Sequence, residues 1–460
     1  MKSHLSVLPP HVWVSRRRPR LRVRLWIRIR VQSDMPSRML RRALTAIALC
    51  GGASAACAAQ GADAALVARG EYLAKAGDCF ACHSTPRGKP FAGGLPMTTP
   101  MGRIYSTNIT PDTDTGIGRY SEEDFKRAVR EGVAPDGHAL YPAMPYPSYA
   151  KVSDVDMKAL YAYFMQGVTP VKQANRATDI PWPLNMRWPL KLWNVVFLDN
   201  TRYEQKADKD AQWNRGAYLV QGLGHCGACH TPRGIGFQEQ ALDQSGRAFL
   251  TGAPLENWFA SNLTGNHNTG LGRWSEDDLN TFLRTGANAH ATAFGSMTDV
   301  INYSTQMLSD ADTRAIARYL KSLPGGRSND GPPYMPHPDG ARVMLTGLPG
   351  NPGAHTYATF CMHCHGADGN GAAPWLAPLA GNPNVLEPDP VSLINVTLNG
   401  TGPLVIGGVP APYPMPKYHA TLTDQQIADA LTFVRGSWNN QAPAVSAQAV
   451  KKVRSATRAP

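Results

Sequence analysis

Three stretches of the chain share one pattern of apolar and polar positions. Ser153-Asp154 opens a segment carrying Leu160, Tyr163 and Phe164, Ser309-Asp310 opens one with Ile316, Tyr319 and Leu320, and Thr423-Asp424 opens one with Ile427, Leu431 and Phe433. Apolar residues three and four apart share one helix face. A Ser, Thr or Asp oxygen just ahead takes up the unpaired amides of the first turn, so each segment reads as an N-capped amphipathic helix. Tyr163, Tyr319 and Phe433 fall at equivalent places. Upstream of each lies a second helical stretch, marked by Gly70 and Tyr72, Gly216 and Tyr218, or Gly353 and Tyr357. A small residue against an aromatic ring lets such a leading helix cross the closing one closely. These are expected to be ordinary core residues that support the fold.

The pattern is an internal repeat. Gly70-Glu-Tyr-Leu73 returns as Gly216-Ala-Tyr-Leu219, Pro86-Arg-Gly88 as Pro232-Arg-Gly234, and Asn108-Ile-Thr110 as Asn262-Leu-Thr264. Gly116-Ile-Gly-Arg-Tyr-Ser-Glu-Glu-Asp124 returns as Gly270-Leu-Gly-Arg-Trp-Ser-Glu-Asp-Asp278. A third, more divergent copy keeps Tyr357 and the glycines Gly366 to Gly371. The units run over about 62–170, 211–325 and 350–438. Between them lie a Pro/Trp-rich connector, 171–210, and a Gly/Pro/Asp-rich linker, 326–349. The connector, with Pro181-Trp-Pro183, Trp188-Pro189 and Trp193, is too apolar for a free linker and is expected to lie against a domain or a partner. The tail, 439–460, is polar and is expected to be disordered.

At 460 residues there is room for three domains, each with its own core. Only 17% of residues are charged, while Gly (43) and Pro (38) are plentiful, which suits compact domains with much loop. The fold class expected is mostly α, three tandem domains with long irregular loops. No run approaches the roughly 18–20 consecutive apolar residues of a membrane-spanning helix.

The formal charge of +12 suggests a nucleic-acid binder until the charges are located. Residues 1–59 hold 12 Lys and Arg against one acid, Asp34, so the body is close to neutral and no nucleic-acid partner is expected. From Met35 or Met39 this leader reads as a secretory signal, with Arg38, Arg41 and Arg42, the apolar run 43–49 and then small residues. Residues 1–34 match no standard targeting element, and translation is expected to start at Met35 or Met39. Cys50 and Cys57 have poor surroundings for a lipid anchor.

The chemistry lies in three pentapeptides: Cys79-Phe-Ala-Cys82-His83, Cys226-Gly-Ala-Cys229-His230 and Cys361-Met-His-Cys364-His365. Cys-x-x-Cys-His is the attachment signature of a c-type haem, with two thioether bonds from the cysteines and a proximal iron ligand from the histidine. A zinc half-site or a redox disulfide also uses Cys-x-x-Cys, but neither needs the following histidine. Three covalently bound haem c groups are therefore expected, and export fits, because covalent haem attachment takes place outside the bacterial cytoplasm.

A second axial ligand makes a haem an electron carrier, and a Met/His pair raises its potential. Met144, in Pro142-Ala-Met-Pro145, precedes the closing helix of unit one, and Met415, in Pro414-Met-Pro416, precedes that of unit three. In unit two Met297 holds the aligned place, with Met307 as its rival. Met97, Met101 and Met165 read as packing. His138, His225, His290 and His363 read as surface or supporting groups.

On these motifs, the paired Asn-Ile/Leu-Thr and Gly-Arg-Tyr/Trp-Ser-Glu segments and the Pro-flanked methionines, residues 65–438 resemble the tri-haem cytochrome c subunits of bacterial membrane-bound dehydrogenase complexes. The resemblance implies class I cytochrome c-like domains, with the axial pairs His83/Met144, His230/Met297 and His365/Met415. It also implies electron flow from a catalytic dehydrogenase subunit (flavin, pyrroloquinoline quinone or molybdenum type) to ubiquinone or another respiratory acceptor. The setting would be the periplasmic face of the cytoplasmic membrane, with peripheral attachment and no substrate site on this chain. Relatives often carry a more apolar C-terminal anchor, and the polar tail here departs from that. A haem enzyme with one open iron, like a di-haem peroxidase, is the alternative, and unit two is where an open iron would fall.

Overall fold

The computed structural model describes residues 63–457, so the expectations about the leader fall outside the described residues. Helices dominate, and the described strands form three two-stranded antiparallel hairpins, Pro96–Thr99 with Gly102–Tyr105, Ala253–Leu255 with Trp258–Ala260, and Val405–Ile406 with Val409–Pro410.

The closing helices form where the caps place them. Ser153 accepts from the Asp156 amide to start Asp154–Ala162, Ser309 from the Asp312 amide to start Asp310–Lys321, and Thr423 from the Gln426 amide to start Asp424–Gly436. The leading helices are 63–76, Ala211–Tyr218 and Pro352–Phe360. The glycines do what the pattern implies. A Cβ on Gly70 would overlap the Ala159 carbonyl and the Cβ of Tyr163, one on Gly216 the Ala315 carbonyl and Tyr319, and one on Gly353 the Asp429 carbonyl and Phe433. Each crossing is therefore as close as two backbones allow. In units one and two a middle helix, Glu122–Glu131 or Glu276–Thr285, starts at a reciprocal capping box, Ser121 with Asp124 and Ser275 with Asp278.

Two features differ from the sequence reading. The first is the core, which is not divided in three. One apolar cluster runs through units one and two, from Leu73, Phe125 and Leu160 to Trp213, Leu223 and Tyr319, while unit three holds its own around Tyr357, Ile427 and Trp438. A reciprocal polar seam joins the first pair. Arg69 donates to Asp156 of its own unit at 2.8 Å, and Tyr218 of unit two donates to the same carboxylate at 2.6 Å. In mirror fashion Arg215 donates to Asp312 at 2.7 Å, and Tyr72 of unit one reaches that carboxylate at 2.6 Å. Tyr72 and Tyr218 are thus seam residues rather than plain core. Tyr357 bonds instead within its own unit, to the Gly366 carbonyl at 2.6 Å.

The second difference is the tail. Ala447–Ala456 is a helix capped by Ser446, with Val450 and Val453 buried against the closing helix of unit three. Arg454 fastens it by donating to Asp424 at 2.7 Å. Its polarity hid a narrow apolar stripe, which is all that a helix lying on a surface needs. The connector also has structure: Val171 and Gln173 bond back to Thr110 and Ala92, and Trp188–Phe197 is a helix resting on unit one.

Candidate cofactor sites

Each pentapeptide forms a short helical turn, Cys79–His83, Gly227–His230 and Met362–His365, which brings both cysteines and the histidine to one side of the chain. The three histidines are oriented alike. Nδ1 of His83 donates to the Thr107 carbonyl at 2.7 Å, that of His230 to the Ser261 carbonyl at 2.6 Å, and that of His365 to the Ala377 carbonyl at 2.8 Å. A carbonyl can only accept, so Nδ1 carries the proton and Nε2 keeps its lone pair for a metal. Burial lowers the pKa of all three, which favours the neutral imidazole that ligation requires.

The sequence did not announce these carbonyls, because a backbone acceptor has no side-chain signature. A signal was nevertheless present. Thr107 and Ser261 immediately precede the repeated Asn-x-Thr, whose asparagine Oδ1 accepts from the threonine amide two residues on, at 2.9 Å in both copies. Asn108 and Asn262 are buried, so each pins the turn that presents the carbonyl.

Burial pushes the thiols of Cys79, Cys226 and Cys361 each up to about 12. Among the described residues no group of three or more His, Cys, Asp or Glu gathers as a zinc site would need. The haem reading fits better: beside two of the turns lie large apolar hollows.

The hollow of unit three, hereafter the third, has a volume of about 400 Å³ and is lined by Cys361, Cys364 and His365 and by Met415 with Leu393 and Leu431. The second, of about 220 Å³, is lined by Cys226, Cys229 and His230 and by Met297 with Trp258 and Leu320. Proximal histidine and candidate methionine therefore share one cavity in each. Met307 does not line the second hollow and is 47% exposed. In unit one Met144 stands on a half-buried turn, its amide donating to the Tyr141 carbonyl at 3.2 Å.

The sites are packed close together. Thr292, Ala293, Phe294 and Asn384 line both the second and the third hollows. Ser261, whose carbonyl orients His230, also donates its hydroxyl to Asn384 of unit three at 2.7 Å. From the other side Ala76 and Asp78 of unit one line the second hollow, and Phe80, inside the first pentapeptide, packs on Tyr303 at 4.9 Å between ring centres. Asp78, which the sequence reading passed over, is buried with one carboxylate oxygen unpartnered. Burial, with Asp299 adding to it, pushes its carboxyl up to about 8.

Comparison with known proteins agrees with this chemistry. The cytochrome c family model matches residues 214–324 and 351–438. The chain is 54% identical over 406 residues to the gluconate 2-dehydrogenase cytochrome c subunit of Pantoea cypripedii, covering 87% of this chain and 92% of the relative. It is 48% identical to the cytochrome c subunit of the quinone-type alcohol dehydrogenase of Gluconobacter oxydans, over 86% of this chain and 84% of that one. To the fructose dehydrogenase cytochrome subunit of Gluconobacter japonicus it is 39% identical, over 84% and 82%.

Proposed function

This chain belongs to the family of cytochrome c subunits of bacterial dehydrogenase complexes, and we propose that it works there as a tri-haem relay from a catalytic subunit to ubiquinone or another respiratory acceptor. The chain is an electron-transfer subunit and not the catalytic enzyme of its complex. Its relatives serve gluconate, alcohol and fructose dehydrogenases, so the partner proposed is a dehydrogenase of an alcohol, sugar or sugar acid. Haem c, when bound, supplies a one-electron couple at each station.

The observation that carries this reading is the threefold recurrence of a proximal histidine locked by its Nδ1 to a backbone carbonyl. The roles proposed for this chain's residues follow from it. Cys79 and Cys82, Cys226 and Cys229, and Cys361 and Cys364 would hold the haems covalently. His83, His230 and His365 would ligate the irons, and Met144, Met297 and Met415 would supply their second protein ligand. Leu320, Leu393 and Leu431 keep water from the sites and so limit reorganisation. The wall shared by the second and third hollows keeps those stations adjacent, and Phe80 with Tyr303 bridges the first to the second. The peroxidase alternative has no support from relatives that are dehydrogenase subunits, and Met297, which lines the same hollow as His230, is the residue proposed to close that iron.

We place the exported protein on the periplasmic face of the cytoplasmic membrane, attached peripherally; among the described residues no helix is long and apolar enough to cross a bilayer. The test is to co-purify the chain with its dehydrogenase subunit and add substrate anaerobically. All three haems should be reduced and then reoxidised by a soluble ubiquinone analogue. Haems that stay oxidised with substrate, yet turn over peroxide, would overturn the reading.

A further inference from the structure

The connector helix Trp188–Phe197 is apolar on both sides. Its inner side is used: Trp193 donates to the Gly236 carbonyl at 2.7 Å and packs on Tyr146, while Asn194 accepts from the Tyr146 hydroxyl at 2.6 Å. Its outer side, formed by Trp188, Leu192, Val195 and Val196, is open to solvent, with Val195 82% exposed. Trp182 lies ahead of it, 78% exposed, and Ile235, fully exposed, tips the unit-two loop that Trp193 and Phe197 hold beside the helix. So large a cluster of exposed apolar side chains is not incidental on a protein surface.

From this we infer that the face made by the connector helix and the Ile235 loop is the surface by which the chain lies on a lipid bilayer. This rests on the membrane attachment proposed above and names the part of the molecule that makes it. The chemistry selects lipid as the occupant. Residues 181–198 contain no acid; of their two cations Arg187 lies over the Tyr141 ring and donates to the Ala139 carbonyl, while Lys191 is exposed, a charge complementary to anionic headgroups. Tryptophans beside aliphatic residues and a lysine are the composition of an interfacial helix, whose own backbone bonds are complete. Lys191 is the one charged residue among the outward positions, and its long stem lets the ammonium reach the headgroups. The position suits the relay, because the helix rests on Tyr146, just past the turn carrying Met144. A lipid-soluble quinone would then meet the chain at the bilayer surface.

The test uses the mature, haem-loaded full chain in flotation with mixed phosphatidylethanolamine–phosphatidylglycerol vesicles. The parent should float. The double variant Val195→Glu/Val196→Glu, and Ile235→Glu alone, should each lower vesicle affinity at least about tenfold. Lys191→Gln should cost about fivefold on anionic vesicles and little on phosphatidylcholine. Val409→Glu, exposed on a unit-three hairpin, should change nothing, and unaltered haem spectra would show that every variant folds. If the parent floats and the glutamate variants float equally well, membrane attachment stands and this surface is overturned. If the parent floats with neither vesicle type, the membrane reading falls and this inference with it. Variants that keep vesicle binding but lose the dehydrogenase subunit would identify a protein-docking face and overturn the proposal.

Discussion

In unit two the proposed sixth ligand is Met297 and not Met307. Met297 shares its cavity wall with His230, whereas Met307, on a short turn ahead of Ser309, is half-exposed. Met297→Leu should therefore convert one haem in three to a high-spin species that binds cyanide, lowering the sulfur-to-iron charge-transfer absorbance by about a third. Met307→Leu should leave the spectrum unchanged. Low-temperature electron paramagnetic resonance of both variants checks this. The pentapeptides proposed to hold haem stand out in the sequence because covalent attachment fixes the spacing of such residues. Met415 and Met297, which stand at aligned positions ahead of a capped helix, each line the hollow of their unit's pentapeptide histidine. The carbonyls of Thr107, Ser261 and Ala377 were not legible in the sequence, although Asn108 and Asn262 marked two of the three turns.

The helices that frame each unit were readable because caps and periodicity are local properties, and Ser153, Ser309 and Thr423 all cap as the pattern implies. The glycine crossings were readable for the same reason, since a glycine and an aromatic recur at fixed offsets. Gly216→Ala should destabilise the protein by about 1–3 kcal/mol, because the new methyl would meet the rigid Ala315 carbonyl rather than a movable side chain. Denaturant unfolding followed by haem absorbance measures it, and the haem content of the folded variant should be unchanged. The helix Ala447–Ala456 escaped notice because two buried valines among polar residues resemble a solvated tail. Its stability comes from docking on Asp424–Gly436, which no local window contains.

Across the molecule the boundaries read from the repeat coexist with a core that joins units one and two. Their seam depends on residues from opposite units, Tyr72 with Asp312 and Tyr218 with Asp156, a relationship that only the folded chain makes visible. It also makes the pair sensitive to acid. Burial acts to raise the Asp312 carboxyl, but the hydrogen bonds from Arg215 and Tyr72 outweigh it and hold it below the ordinary range. A carboxyl depressed in the folded state stabilises fully above its unfolded value, near pH 4, and loses that contribution as pH falls through the folded value. Asp312→Asn should therefore cost about 2 kcal/mol at pH 7, and the deficit against the parent should shrink below about pH 4. Unfolding curves at pH 7 and pH 3 give the comparison.

All three stations are proposed as closed His/Met haems, built for transfer and not for chemistry. Near-infrared magnetic circular dichroism of the oxidised holoprotein, scaled to chain concentration, tests it most directly. Three low-spin haems per chain are expected, every one with the methionine–histidine signature. Two haems per chain, or any high-spin or bis-histidine component, would contradict it.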